Sequence, residues 1–581
     1  MEVAARRDEP TPNAEVRTGD ASAEPSFVDS AADASQRLRS PLRASARRER
    51  AISIVGSVAS GLVVAFAIPP CPTPWIALVA YAPLVFLAIT APTVRSAARR
   101  GLLAGAVATG LAFRFLLPPM QSAGGLGLAS ALAAYGALTL WHALPFAVGA
   151  ATGAFVERRR GSGALCAAVV WTALERVWPV PIPWCFGASL EGMRPLLMSA
   201  SIAGPLGPTA LALIAAAGVV DAARWAYAWR RGRGLGNAAL GRAAIVASLL
   251  LLAAWIVGTQ RIVDVARAAD AAPRLDIGVV QPGASPSEAS LSEMLDAADE
   301  LAARGAALVV FSEGAFPGVL PDADALPLVD AAFADTAGQT SLWVGAITRD
   351  RQGRLRNAAF LIGRGGDASG RYDKRALLPF AERLPLEAEL PWLRDLSPRS
   401  GRFIEGAPRA QLSARGARLV PTICYEDLSP SRAGGLDGST PGVLVNATND
   451  SWFDGSEAPR THAAMARLRA IEAGRALVRA TNDGATVVFG PDGTTLAAIP
   501  IGTRGAIVVA TPILSAPTPF SRWGATPAWC ALVALGSFAW ARSRGPRGTR
   551  PPRRANPDRR RAPDGRRAKT AVSAPRSSGL S

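Results

Sequence analysis

Apolar residues run in long, nearly uncharged stretches between positions 51 and 259, give way to a mixed pattern over roughly 270–520, and return at 523–541. A helix needs ~20 mostly apolar residues to cross the hydrocarbon of a bilayer. Eight stretches approach that length: about 51–68, 74–92, 101–118, 125–155, 163–180, 196–221, 241–259 and 523–541. Buried helices of a large soluble protein would show charged faces at helical spacing, and these stretches lack them. The fourth is long enough to tilt or to break at Pro145, and the sixth contains Gly204, Pro205, Gly207 and Pro208, which predict a kink or an unwound turn. The fold class predicted is a multi-pass α-helical membrane bundle of about eight helices, with an α/β domain inserted between the seventh and the eighth.

Within the mixed region, β-rich runs alternate with helical periodicity. The runs are "RLDIGVVQ", "ALVVFSE", "SLWVGAIT", "NAAFLIG", "LVPTICYE", "GVLVNATN" and "ATVVFGPDG", and the helical patterns lie at 287–304 and 461–475. In the second helix Met465, Leu468 and Ile471 share one apolar face, and "GPDGT" reads as a hairpin turn. The limits that follow are a tail at 1–50, the bundle at 51–260, the α/β domain at 273–515, a last helix at 523–541 and a second tail at 542–581.

Charge sets the orientation. The 581 residues carry a formal net charge of +18, unevenly placed. Residues 1–50 balance nine basic against nine acidic, 273–522 carry 25 against 28, and the tail after 541 holds thirteen Arg or Lys. Arg95, Arg99 and Arg100 share one loop, Arg158, Arg159 and Arg160 the next but one, and Arg224, Arg230, Arg231, Arg233 and Arg242 the next but one again. The loops between them at 69–73 and 119–124 have none, and 181–195 has only Arg194. Basic loops stay on the cytoplasmic side, so both termini are expected there and the α/β domain is expected outside, in the periplasm or an equivalent compartment. The surplus charge then meets anionic lipid headgroups, and nucleic acid is excluded as a partner. Both tails are rich in Ala, Arg, Pro, Ser and Asp and are expected to be disordered. The first helix is expected to act as an uncleaved targeting segment.

Three polar residues stand where strands run out: Glu313 at the end of "ALVVFSE", Lys374 beyond "NAAFLIG" and its "GRGGDASG" loop, and Cys424 at the end of "LVPTIC". Strand ends are where side chains from distant segments converge in α/β domains. A carboxylate can deprotonate a thiol, the thiolate can attack a carbonyl, and an ammonium can hold the oxyanion. Singly, each is as well explained as a buried hydrophobe or a solvated surface group. Usage sharpens the case for Lys374: of 63 basic residues only it and Lys569 are lysine. A compact ammonium differs from a planar guanidinium in reach and in tunable pKa. Cys424 is the only cysteine of the α/β domain, so no disulfide forms within it, and no Cys/His cluster suggests a metal. A histidine-based triad would have to use His462, since the only other histidine, His142, lies in an apolar run.

At these residues the sequence resembles the carbon–nitrogen hydrolase (nitrilase-like) superfamily, and within it the apolipoprotein N-acyltransferase family. The resemblance rests on "SEGAFP", "YDKRALLPFAERLPLE" and "ICYED", and on the stretch from "NATNDSWFDGS" to "GATVVFGPDG" at 446–493. In the membrane part it rests on "GLVVAFAIPPCPTPWIALVAYAPLVFLAI". It implies a nitrilase-like α-β-β-α sandwich for the α/β domain. It makes Glu313 the general base, Lys374 the oxyanion stabiliser and Cys424 the nucleophile, with Glu382, Tyr425 and Glu426 in supporting places. The Tyr425 N–H is an expected oxyanion donor. The sequence departs from the family in having no Trp soon after Gln281 and in placing Arg114 inside the third span.

The reaction so implied is a ping-pong acyl transfer with no cofactor. A membrane phospholipid is the acyl donor and the α-amine of a diacylglyceryl apolipoprotein is the acceptor, in the bacterial inner membrane, with the protein expected to be a monomer. Two other readings stay open: a membrane-tethered amidase of the same triad acting on a small amide, and a transporter or lipoprotein-binding scaffold without chemistry. Glu175 and Arg176, near the outer end of the fifth span, are either functional residues, since charge within a membrane is costly, or a pair that snorkels to the interface.

Overall fold

The computed structural model describes residues 49–160, 162–232, 238–283, 290–407, 411–429, 440–453, 455–515 and 517–544. Of the two tails expected from composition, residues 1–48 and 545–581 lie outside the described residues, whereas 49–50 and 542–544 are helical.

Among the described residues of the bundle, four helices are long and apolar enough to cross a membrane: Glu49–Phe66, Leu128–Arg159, Leu206–Arg230 and Ala238–Ala271. A fifth is gained if the bent pair Val94–Ala112 and Arg114–Ser122, which turn 52° from each other, counts as one. Pro74–Ile89 and Thr526–Ala541 are apolar but shorter, and Gly163–Val177 has 15 residues. So each of the eight expected spans coincides with helix, and four qualify by length and composition. Proline explains two of the interruptions. The second stretch opens as a 3-10 turn at Pro74–Leu78 and restarts at Ala82 with a proline in its first turn. The sixth breaks at Gly204, whose φ is 62°, before Pro205 starts a new helix at Leu206. Pro145, by contrast, is accommodated inside Leu128–Arg160. Arg114 lies exposed at the bend rather than within a continuous span, its guanidinium donating to the Leu111 carbonyl at 3.0 Å.

The Ala238–Ala271 helix runs beyond the expected end of the bundle. At 1.5 Å per residue its 34 residues reach about 51 Å, well past the ~30 Å of hydrocarbon. Its last turns carry Arg261, Asp264, Arg267 and Asp270 and lead directly into the first strand of the α/β domain.

The described residues of that domain form thirteen strands: β1 Arg274–Gln281, β2 Leu308–Val310, β3 Val319–Pro321, β4 Ser341–Arg349, β5 Leu355–Ile362, β6 Gly370–Asp373, β7 Leu412–Ala414, β8 Ala417–Ile423, β9 Gly442–Ala447, β10 Leu477–Ala480, β11 Val487–Phe489, β12 Thr495–Ala498 and β13 Gly505–Pro512. They form two sheets, ordered β13-β1-β2-β4-β5-β6 with β3 beside β4, and β12-β11-β10-β9-β8-β7. The centres are parallel (β1-β2-β4 and β8-β9-β10) and the margins antiparallel. Central parallel strands are buried on both faces, which is why the sequence writes them as unbroken apolar runs. Along β1, Ile277 and Val279 enter a core shared with Val443, Val445 and Val478 of the other sheet, whereas Val280 faces the helices Leu291–Ala303 and Ala325–Ala332. The second sheet is covered on its outer face by the helix Ala458–Ala473. Helix, sheet, sheet and helix thus stack in four layers.

The Ala458–Ala473 helix also joins the two parts of the chain. Its small residues Ala463 and Ala470 pack on the sheet with Val420 and Leu444, while Met465, Leu468 and Ile471 enter the core of the membrane bundle. The apolar face legible in the sequence therefore docks on the bundle, not on the domain's own sheet. Polar ties reinforce the junction: the Thr461 hydroxyl donates to the Pro69 carbonyl at 2.6 Å, the Ser397 hydroxyl to Gly124 at 3.1 Å, and Arg194 pairs with Asp492.

Candidate active site

Glu313 lies three residues beyond β2, Lys374 directly after β6, and Cys424 directly after β8. The two sheets thus bring three strand ends to one place. Close backbone approach fixes the first: a Cβ on Gly345 of β4 would sit 2.3 Å from the Ser312 carbonyl oxygen, so only glycine lets the Glu313 segment lie this near.

The Glu313 carboxylate is buried and fully engaged. One oxygen accepts from the Asn357 side-chain amide at 2.6 Å and from Lys374 Nζ at 3.1 Å, and the other accepts from the Asn449 backbone N–H at 2.8 Å. Lys374 is 2% exposed, and its Nζ also donates to Glu382 at 2.8 Å. Glu382 in turn accepts from Asn357 at 3.0 Å and from the Leu378 N–H at 2.7 Å. One ammonium and one amide therefore bridge two carboxylates. Burial alone would lower the Lys374 pKa, but Glu313 and Glu382 together hold it well above the usual lysine range, so the ammonium stays charged.

Cys424 opens a 3-10 turn, Cys424–Leu428, with φ of 51°. That left-handed conformation costs a residue bearing a β-carbon about 1–3 kcal/mol and persists only when its surroundings enforce it. Glu426 does the enforcing. It is fully buried, and its carboxylate accepts from the Ile423 N–H at 2.8 Å, the Tyr372 hydroxyl at 2.7 Å, the Arg375 N–H at 2.8 Å and the Ala376 N–H at 2.9 Å. This single side chain ties the turn of the cysteine to the segment just after Lys374. Tyr425 points the other way, its hydroxyl donating to the Pro181 carbonyl at 2.7 Å and so to the membrane part. Burial pushes the Cys424 thiol up from its ordinary pKa; Glu313 adds to this and Lys374 opposes it. The hydrogen bonds of the Glu313 carboxylate go to Asn357, Lys374 and Asn449.

His462 does not face the thiol as a base. Its Nε2 meets Asp427 at 2.7 Å, and its Nδ1 lies 3.2 Å from Asp450 and 2.8 Å from an Arg479 guanidinium nitrogen. Arg479, wholly buried, also donates to Asp450 at 3.1 Å. Burial would lower the His462 pKa, but Asp427 and Asp450 outweigh both burial and Arg479 and raise it to about 9. Asp450 is held well below the usual carboxylate range, chiefly by Arg479 and His462 working against its burial. The network braces Asp427, three residues past the cysteine, against Asp450, next to the Asn449 that holds Glu313. Gly484 makes room for it, since a Cβ there would meet the Asp450 carboxylate at 2.4 Å. Asn357, Asn449, Asp427, Asp450 and Arg479 were not singled out by the sequence; the "NATND" and "RATND" stretches after strands were the available signal.

Glu175 and Arg176 are not a pair. Neighbouring residues point about 100° apart on a helix; Glu175 accepts from the Phe186 N–H at 2.9 Å and the Thr209 hydroxyl at 2.7 Å, and Arg176 is exposed. Glu175 thereby anchors the loop whose Pro181 receives Tyr425. Of the segment that follows Gln281, residues 284–289 lie outside the described residues.

A two-sheet sandwich with a carboxylate, an ammonium and a thiol at its strand ends defines the class, and the carbon–nitrogen hydrolase family matches residues 276–524. The N-terminal domain of apolipoprotein N-acyltransferase matches residues 60–218. An apolipoprotein N-acyltransferase of Ralstonia nicotianae is 32% identical over 369 residues, 62% of this chain and 68% of that protein. One of Gloeobacter violaceus is 28% identical over 531 residues, 87% of this chain and 98% of that protein. The chain belongs to the apolipoprotein N-acyltransferase family. Among solved structures, an amidase from Nesterenkonia sp. aligns with a TM-score of 0.34 at 21% identity, over 42% of this chain and 91% of that one.

Proposed function

We propose that the chain transfers a fatty acyl group from a membrane phospholipid to the α-amine of a diacylglyceryl-cysteine at the N-terminus of an apolipoprotein, with Cys424 as nucleophile, Glu313 as base and Lys374 as oxyanion stabiliser. The observation that carries the residue assignment is the buried Glu313–Lys374–Glu382 cluster beside a thiol held at positive φ. As Cys424 Sγ attacks the ester carbonyl, its proton passes to Glu313, and Lys374 Nζ with the Tyr425 N–H holds the oxyanion. Collapse breaks the ester C–O bond, Glu313 returns the proton to the leaving alkoxide, and lysophospholipid departs from an acyl-thioester. The acceptor amine then attacks the thioester carbonyl, Glu313 takes its proton, and the thiolate leaves and is reprotonated.

Membership of the acyltransferase family, including the match in its membrane part, favours this reading over a tethered amidase, in which water would replace the amine. Docking of the Ala458–Ala473 helix in the bundle core supports it as well, because it ties the site to the lipid surface where both substrates reside. The orientation follows the arginine loops: eight spans, seven before the domain and one after, with both termini cytoplasmic and the domain on the periplasmic side of the inner membrane. The acting unit is a monomer. Purified protein incubated with phospholipid labelled in its acyl chain is expected to gain a hydroxylamine-sensitive label that Cys424→Ala does not gain. An unlabelled wild type would reject the acyl-transfer reading, and ammonia release from small amides would establish the amidase.

A further inference from the structure

At the end of the bundle away from the α/β domain, the Glu49–Phe66 helix and the start of the Val94–Ala112 helix line an open cavity of about 600 Å³. The opposite end of the first helix leads to Pro69, which Thr461 of the α/β domain contacts; the cavity reaches along that helix from Glu49 to Ser57, so nine residues of helix, about 14 Å, separate it from the catalytic side. Three guanidinium groups line it, those of Arg50, Arg99 and Arg100, against one carboxylate, Glu49.

Arg100 is 8% exposed, an unusual depth for an arginine. Its Nε donates to the Ser53 hydroxyl at 2.8 Å and its Nη1 to the Leu87 carbonyl at 2.8 Å, which fixes the guanidinium plane. Among the described residues nothing accepts from its Nη2, and Arg50 and Arg99 have no hydrogen-bond or ion-pair partner. The rest of the wall mixes the hydroxyl residues Ser53, Ser57, Thr93 and Ser96 with apolar Ile54, Pro92 and Leu103, and Ile54 is 56% exposed on the helix flank. The positive end of the Val94–Ala112 helix faces the same space. A ligand complementary to this lining has a compact anion with several acceptor oxygens and an apolar body leaving along the helix flank.

We propose that the cavity binds the phosphodiester headgroup of an anionic phospholipid in the leaflet opposite the catalytic domain, as a lipid distinct from the acyl donor. The guanidinium forks supply bidentate donors to phosphate oxygens, and basic pockets between membrane helices are suited to such headgroups. The inference rests on the membrane-spanning reading of the bundle but uses no residue of the Cys424 site.

The test uses the full-length protein in nanodiscs of phosphatidylcholine alone or with added phosphatidylglycerol, with native mass spectrometry counting retained lipid and thermal unfolding read in parallel. Arg100→Gln risks misfolding because the residue is buried, so the informative variant is Arg50→Gln with Arg99→Gln. Wild type is expected to retain phosphatidylglycerol and gain thermal stability from it. Losing two near-surface charges should weaken that retention about 30-fold, with acyl-thioester formation on Cys424 unchanged. Equal retention by wild type and double variant would overturn the proposal. So would the same stabilisation by inorganic phosphate alone, which would make the site one for a free anion. Since lipid counting does not involve Cys424, failure here and failure of the acyl-transfer assay are separately readable.

Discussion

Lys374→Arg preserves charge and alters shape, and so tests why this chain uses lysine at one place in its domain. The ammonium is 2% exposed and sits 3.1 Å from Glu313 and 2.8 Å from Glu382, so its space is defined on both sides by carboxylates that are themselves hydrogen-bonded. A guanidinium is planar and larger and carries its donors about the rim, so it can satisfy both carboxylates only by displacing Glu382 from the Leu378 N–H. It would then no longer present a single donor to the carbonyl oxygen on Cys424. Loss of one oxyanion donor costs about 10²–10³ in rate. We therefore expect acyl-enzyme formation from labelled phospholipid to fall roughly 100-fold or more in single-turnover assays. The unfolding temperature should fall only modestly, because the charge is kept. Lys374→Met is the contrast: it leaves two carboxylates buried without their counter-ion, a loss of about 3–5 kcal/mol, and is expected to unfold markedly earlier. A Lys374→Arg protein that acylates within a few-fold of wild type would refute the reasoning, since any buried cation would then serve.

Three further outcomes follow from the same geometry. Glu426→Gln sets an amide N–H₂ against the Ile423 N–H and the Tyr372 hydroxyl; with the hydroxyl able to rotate, the cost is about 2–4 kcal/mol, and unchanged thermal unfolding and acylation would contradict the bracing role of Glu426. Tyr425→Phe removes the bond to the Pro181 carbonyl, worth about 1 kcal/mol, and should slow acylation up to about tenfold while lowering the unfolding temperature by no more than about 2 °C. The His462 pKa is raised in the fold from 6.5 to about 9. Its contribution to stability, at most about 3 kcal/mol, is therefore full below pH ~6.5 and lost as pH rises through ~9. Thermal unfolding measured from pH 6 to 10 should show that loss, and His462→Gln should remove the pH dependence; an identical profile in the variant would count against the imidazolium.

What was legible beforehand is unequal. Central strands such as "RLDIGVVQ" and "SLWVGAIT" match β1 and β4 closely because burial on both faces demands unbroken β-branched and apolar runs. The short marginal strands β7 and β12 carry too few residues for any periodicity to register. Glu313, Lys374 and Cys424 could be picked out because strand-end position and residue type are both local features. Asn357, within β5, looks like any polar residue of a strand until the Glu313 and Glu382 carboxylates arrive from segments 44 and 25 residues away.

By itself the sequence determined where apolar length permits membrane crossing, which runs form the sandwich centre, and which three residue types stand at strand ends, since each depends on composition or spacing within a few turns of chain. Only the tertiary structure decided that Glu426 joins the cysteine turn to the lysine segment. It alone showed that His462 braces Asp427 and Asp450, and that Met465, Leu468 and Ile471 dock on the membrane bundle. Those are contacts between parts distant along the chain: a helical repeat specifies that one face must be buried, and the packing of the remaining chain selects what covers it.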